Sequence, residues 1–243
     1  MQDHLTTEHK LTLLAFDTAQ GALSAAILGG EGVLAHRFEA RARGHAEMLM
    51  PMIEAALAEA GLTLEAIDAL AVTVGPGTFT GLRVGLAAAR GLALARALPL
   101  IGVTTLEAVA EPVAAGPDET IAAAFDAKRD EVYLQAFDAN HAVLIEPMLI
   151  PLEEAPAHLP GARVVAVGTG AALLAETLGE KGLDLRLADA PPQPDALSVA
   201  RIAARRLAAH GPDRYRAAPG PLYLRAPDAK LPGGRTLEES LKT

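Results

Sequence analysis

Two stretches of this chain repeat one pattern: an apolar run of strand length ending in Phe-Asp, a short turn, then a second apolar run. Leu11 to Phe16 ends at Asp17 and passes Gly21 into Ala22 to Leu28; Thr120 to Phe125 ends at Asp126 and leads into a second run through Tyr133. Laying Phe16-Asp17 over Phe125-Asp126, 109 residues apart, also lays Leu23, Ala25 and Ile27 over Val132, Leu134 and Ala136. A repeated strand–Asp–turn–strand unit predicts two related lobes. Independent similarity of two hydrophobic hairpins is the plain alternative, and pattern alone leaves both open.

Around these units the elements alternate. After Gly29-Gly30, the run Val33 to Ala40 completes a three-stranded meander. A helix is expected from about 46 to 60, stopped by Gly61, followed by a buried strand from 69 to 74. Gly75-Pro76-Gly77 then opens a second helix from about 80 to 98, ended by Pro99. A strand from 100 to 103 and a helix from 105 to about 115 close the first half. The second half continues with strands over 143–150 and 163–167 and helices over 171–178 and 196–209. Five prolines from Pro212 to Pro232 predict an irregular, partly disordered tail.

Composition narrows the chemistry. The chain has 243 residues and no Cys, which removes disulfides, thiolate nucleophiles and Cys-based metal sites and suits a reducing, cytoplasmic setting. The net charge of −9 argues against unaided nucleic-acid binding, which relies on clustered Lys and Arg. No signal peptide and no membrane span are expected. Ser24, Ser198 and Ser240 are the only serines, and none sits in a nucleophile elbow. No two of the seven histidines are three or four residues apart, so a helical metal pair cannot be built. His45 reads as a capping or surface residue.

Two glycine turns and two aspartates remain as candidate ligand groups. Gly75-Pro76-Gly77-Thr78-Phe79-Thr80-Gly81 lies between a strand and a helix, where backbone N–H groups can hold an anion. It lacks the Gly-Lys-Ser/Thr of a P-loop, and Thr80 stands where a dinucleotide fingerprint needs its third Gly. A tight turn that brings the helix onto the sheet is the other reading. Gly168-Thr169-Gly170 is a weaker turn of the same kind, and Gly168 and Gly170 are candidates for a nucleotide contact. Asp17 and Asp126 each end a strand, where facing carboxylates could hold Mg²⁺ beside a phosphate. Bonding to their own turns is the alternative.

The two long helices of the first half carry apolar residues in every direction. One bears only Glu47, Glu54 and Glu59 as charges among Met48, Leu49, Met50, Met52, Ile53, Ala56 and Leu57; a helix of this kind is covered on more than one side. The other sets Leu82, Val84, Leu86, Leu92 and Leu94 among Gly81, Gly85, Ala88 and Ala89, with Arg83 and Arg90 seven residues apart, as Glu47 and Glu54 are. Opposite charges on two such helices would fix the register of a subunit interface. Two core helices of a doubly covered sheet would look similar.

Several segments resemble the TsaB family of bacterial tRNA threonylcarbamoyladenosine biosynthesis proteins. They are Arg43-Gly44-His45-Ala46-Glu47 with the helix after it, and Val74-Gly75-Pro76-Gly77-Thr78-Phe79-Thr80-Gly81-Leu82-Arg83-Val84-Gly85. Phe16-Asp17-Thr18, Gly102-Val103-Thr104-Thr105-Leu106-Glu107, Asp126-Ala127-Lys128-Arg129-Asp130-Glu131-Val132-Tyr133 and Tyr223-Leu224-Arg225 extend the likeness over about residues 11–225. The resemblance implies an α/β chain with the duplicated two-lobe fold of actin and sugar kinases, mixed sheets flanked by helices. Lobes are expected over 1–117 and 118–225, with an irregular tail over 226–243.

The resemblance also implies a role: a non-catalytic subunit that binds and activates its paralogue TsaD in forming N6-threonylcarbamoyladenosine. It implies a heterodimer with TsaD, TsaE in a larger complex, a homodimer without TsaD, and tRNA reached only through the complex. The expected partner face is Glu47, Met48, Leu49, Met52, Ile53, Glu54 and Ala56 of one helix with Gly81, Leu82, Arg83, Gly85, Ala89, Arg90 and Leu92 of the other. TsaD carries a metal-binding His-x-x-x-His after its second helix; Thr105 and Val109 occupy those places here, and neither can ligate a metal as imidazole does. No intrinsic cofactor, metal or catalytic residue is therefore expected, with ATP or ADP and Mg²⁺ bound only in the complex. The alternatives are an independent ATPase or kinase using Asp17 and Asp126, and a metallopeptidase.

Overall fold

Leu13, Leu14, Ala15 and Phe16 are apolar without alternation, the mark of a strand covered on both faces. In the computed structural model, which describes residues 11–225, they form the centre of the first of two five-stranded mixed sheets. Its order is β3 (Gly32–Ala40), β2 (Ala22–Gly29), β1 (Leu13–Asp17), β4 (Ala69–Gly75) and β5 (Leu100–Thr104). The first three strands run antiparallel, and β4 and β5 continue parallel to β1. The second sheet repeats this order and these directions: β8 (Val143–Pro151), β7 (Glu131–Phe137), β6 (Thr120–Lys128), β9 (Arg163–Val167) and β10 (Asp184–Leu187). This is the duplicated, actin-like architecture expected.

The helices fill three layers. On the outer face of the first sheet, α1 (His45–Glu59) and α2 (Phe79–Arg96) cover Leu14, Phe16, Leu23, Ala25, Ile27, Leu70 and Val72. On the outer face of the second sheet, α4 (Ala155–His158) and α5 (Ala171–Glu180) cover Ala122, Ala124, Val132 and Leu134. Between the sheets the halves exchange helices: α3 (Thr105–Ala110) packs on Ile121, Ala123 and Phe125 of the second, while α6 (Ala196–His210) packs on Leu13, Ala15 and Ala26 of the first. Arg205 clasps Glu111 at 2.7 Å, and Arg206 bonds Glu107 at 2.5 Å and the Gly102 carbonyl at 2.7 Å. None of the described helices is long and apolar enough to cross a membrane.

The repeat is real in topology, but the expected superposition slips by one residue on its first strand. Phe16 faces the outer layer and pairs with Ala25, whereas Phe125 faces the inner layer; in the second sheet it is Ala124 that faces outward and pairs with Leu134. Thus β2 and β7 superpose 109 residues apart, and β1 and β6 one residue fewer. A one-residue slip moves every side chain to the other face, so the counterpart of Asp17 is Phe125 and not Asp126.

Other expectations shift locally. The third helix stops at Ala110 because Pro112 cannot continue it. The strand β10 and the single turn α4 were not foreseen. Residues 211–225, expected to be partly disordered, follow a defined path along α2, described below; the tail expected over 226–243 lies outside the described residues.

Candidate functional site

The turn after β1 and the glycine loop after β4 meet at the carboxyl end of the first sheet. Asp17 is wholly buried. Its Oδ1 accepts the Thr73 hydroxyl at 2.5 Å and the Ala19 N–H at 3.1 Å, while Oδ2 has no partner among the described residues. Burial pushes the carboxyl up to about 7 against those two hydrogen bonds, and the Asp195 carboxylate adds to the rise.

The glycine loop is closed by the chain itself. A Cβ on Gly81 would stand 2.1 Å from the Thr18 carbonyl oxygen, and one on Gly77 2.5 Å from that of Ala19. The Thr18 hydroxyl donates to the Gly81 carbonyl at 2.7 Å, the Thr78 N–H donates to the Ala19 carbonyl at 2.8 Å, and the Thr78 side chain caps α2 by accepting from the Gly81 N–H. These glycines admit the chain's own β1–β2 turn at the place where a phosphate cradle would admit an anion. The residues as arranged do not fit a nucleotide phosphate there.

The second lobe behaves similarly. A Cβ on Gly168 would meet the Ala124 carbonyl at 2.2 Å, and the Gly170 N–H donates to that same carbonyl at 3.0 Å. Asp126 accepts the Lys128 N–H at 2.8 Å and its Nζ at 2.5 Å; the Lys128 hydrogen bond holds the carboxyl below its usual range. Asp17 and Asp126 therefore stand in unlike surroundings, one buried and half-satisfied, the other tied to its own turn. Thr105 is buried with its hydroxyl on the Pro76 carbonyl at 2.5 Å, and Val109 lies in the inner core.

The residues expected on a partner face divide into two groups. Leu49, Met52, Ile53 and Ala56 of α1 and Gly81, Leu82, Gly85 and Ala89 of α2 are buried against the chain's own sheet and loop, so they are not available to a second protein. The period of α1 explains this: positions 49, 52, 53, 56 and 57 make one stripe that the sheet consumes. Glu47, Glu54, Arg83 and Arg90 are exposed, and Met48 and Leu92 are half-buried.

The large apolar groups that do face outward are others: Met50 on α1, and Phe79 and Leu94 on α2, with Leu94 87% exposed. Arg83 and Arg90 do not project freely either. The Arg83 guanidinium lies 3.7 Å over the Phe79 ring and its Nε donates to the Tyr223 hydroxyl at 3.3 Å; Arg90 donates to the Pro219 carbonyl at 2.6 Å. Phe79 and Leu94 were legible as large apolar residues on the polar side of a helix whose other side is already full. Tyr223 had no local signal.

Comparison with known proteins places this geometry in a family. A family model described as TsaD, tRNA N6-adenosine threonylcarbamoyltransferase, matches residues 32–163. The tRNA threonylcarbamoyladenosine biosynthesis protein TsaB of Escherichia coli K12 is 39% identical over 184 residues, 72% of this chain and 79% of that protein. A solved structure described as YeaZ from Pseudomonas aeruginosa superposes with a TM-score of 0.72 at 30% identity, covering 88% of this chain and all of that one. A tRNA N6-adenosine threonylcarbamoyltransferase of Novosphingobium aromaticivorans is 52% identical over 69 residues, 28% of this chain and 20% of the enzyme.

Proposed function

The chain belongs to the TsaB family of tRNA threonylcarbamoyladenosine biosynthesis proteins, and on that footing we propose that it is a non-catalytic subunit that binds and activates a TsaD-type threonylcarbamoyltransferase. The observation that carries this reading is the set of large apolar side chains turned outward, Met50 on α1 and Phe79 and Leu94 towards the two ends of α2, on helices whose inner faces are already covered. Large apolar side chains left exposed on helices whose inner faces are full mark an interaction surface. Glu47 and Glu54 are exposed on the same helix as Met50 and set the sign a partner must meet.

Two further features support a binding role over a chemical one. The glycine loop is filled by Thr18 and Ala19, leaving the chain's own backbone where a phosphate would be held. At Thr105 and Val109 a hydroxyl committed to Pro76 and an isopropyl group in the core replace the two imidazoles of the transferase motif. In the proposed scheme this chain contributes surface and rigidity, the transferase contributes the reaction, TsaE joins the larger assembly, and tRNA is engaged by the complex. A second copy takes the same face when the transferase is absent.

The test is co-elution of purified chain and transferase on size exclusion with light scattering. The reading expects one heteromeric species, lost in Leu94→Glu while the circular dichroism spectrum of the variant is unchanged. Co-elution that survives this charge on the most exposed apolar residue of α2 would refute it.

A further inference from the structure

Residues 216–225 form a strap beside α2, and its anchors follow in order. Arg216 donates to the carbonyl of Ala97, the residue that ends α2, at 2.7 Å. The Pro219 carbonyl accepts Arg90, and the Pro219 ring closes over Gly102, where a Cβ would lie 2.9 Å away. The Leu222 N–H donates to Val74 at the end of β4 at 2.7 Å. Tyr223 stacks on Phe79 with ring centroids 5.8 Å apart, at the first turn of the helix. Arg225 then crosses to the second lobe, bonding the Ala127 carbonyl at 2.7 Å and the Glu131 carboxylate.

The strap thus runs antiparallel to α2 from its last residue to its first. Pro219 and Pro221 favour an extended backbone along this path. Such a segment could serve only to tie the lobes, but its exposed aromatic side chain, Tyr223, is not turned inward. It stacks on Phe79 with the rings inclined by 29°, and the Arg83 guanidinium lies over the Phe79 ring and bonds the Tyr223 hydroxyl, so an aromatic pair and a guanidinium stand together at the first turn of α2. Tyr, Arg and large aromatics are the residue types that dominate binding energy at interface centres.

We propose that the strap, anchored by Arg90 at Pro219, is the third wall of the partner surface, and that Tyr223, held by Phe79 and Arg83, is a recognition residue for the TsaD-type transferase. This rests on the function proposed above. The choice of occupant rests on the match of the transferase family model to residues 32–163, which include α1 and α2: a transferase of that family carries a counterpart of this helix pair to set against it. A pseudo-symmetric pairing sets related patches of two subunits against each other, and on this chain the strap runs beside α2 at that patch. Arg83 and Arg90 act here as positioning residues, setting the strap rather than meeting the partner's charges.

The test is titration calorimetry of the full chain with the transferase encoded in the same genome, using Tyr223→Ala, Tyr223→Phe, Arg90→Ala and Leu94→Glu. The inference expects affinity to fall at least tenfold in Tyr223→Ala and severalfold in Arg90→Ala. Tyr223→Phe, which keeps the stack, should restore most of the binding, and melting temperatures should stay within a few degrees. Hydrogen exchange of residues 216–225 should slow on binding. If Tyr223→Ala binds normally while Leu94→Glu does not, the strap inference fails and the partner reading stands. Unchanged binding in both overturns both.

Discussion

Substitution of Gly81 by Ala separates a glycine loop that is closed by its own chain from one kept open for a ligand. Gly81 lies in the first turn of α2, so the change should stabilise the helix by about 1 kcal/mol on propensity alone. Against this, the new methyl would meet the Thr18 carbonyl oxygen at 2.1 Å. That oxygen is backbone in a buried turn whose hydroxyl is bonded to the Gly81 carbonyl, so the turn cannot withdraw without losing that bond. Overpacking of this kind costs about 1–3 kcal/mol and the bond about 1 more. A net loss of about 1–3 kcal/mol should lower the melting temperature by roughly 2–12 °C for a chain of this size. Two other glycines of the same helix calibrate the result. Gly91 has nothing within 4 Å of a Cβ, so Gly91→Ala should raise the melting temperature by roughly 2–4 °C. Gly85 faces the Thr18 hydroxyl at 2.6 Å and a Val72 methyl at 3.4 Å, side-chain atoms rather than backbone, and should fall between the two. The assay is thermal and urea unfolding of the three variants followed by circular dichroism. A Gly81→Ala protein as stable as Gly91→Ala would show that the loop has room, and the closed-loop account would fail.

Asp17 gives a pH prediction. Its folded-state pKa of about 7 lies above the unfolded value, so the folded chain binds more protons between pH 4 and 7, and stability falls across that window and levels off above it. Asp17→Asn removes this dependence, so urea titrations should show the wild type losing roughly 3 kcal/mol relative to the variant between pH 5 and pH 8; a constant difference contradicts it. Arg206→Ala, which strands the shielded Glu107 and the Gly102 carbonyl where α3 meets α6, should cost about 2 kcal/mol, read as a lower urea midpoint at unchanged slope. An unchanged midpoint would mean the clasp contributes nothing.

Much of this was legible in the chain, and the failures have physical causes. The paired strand–Asp–turn units revealed the duplication because each half builds the same hairpin. The one-residue slip followed from β1, where Leu13, Leu14, Ala15 and Phe16 are all buried: with no polar position to mark a face, similarity of Phe-Asp decided the alignment. The two helices were found, and their apolar residues divide between stripes that the sheet covers and the outward Met50, Phe79 and Leu94. Which of those residues face outward was not resolved, because Met48, Met50 and Ala55 mask the stripe that Leu49, Met52, Ile53, Ala56 and Leu57 form. Arg83 and Arg90 read as charges for a partner because their own partners, Tyr223 and Pro219, lie more than a hundred residues away. The strap itself has no periodicity and many prolines, so its order comes wholly from tertiary contacts.

The most direct measurement is the rate of threonylcarbamoyl transfer to tRNA by the purified transferase, alone, with this chain, and with Leu94→Glu. The account predicts that the chain raises the rate, that Leu94→Glu does not, and that the chain alone gives no product. A transferase at full rate by itself, or full stimulation by Leu94→Glu, would contradict it.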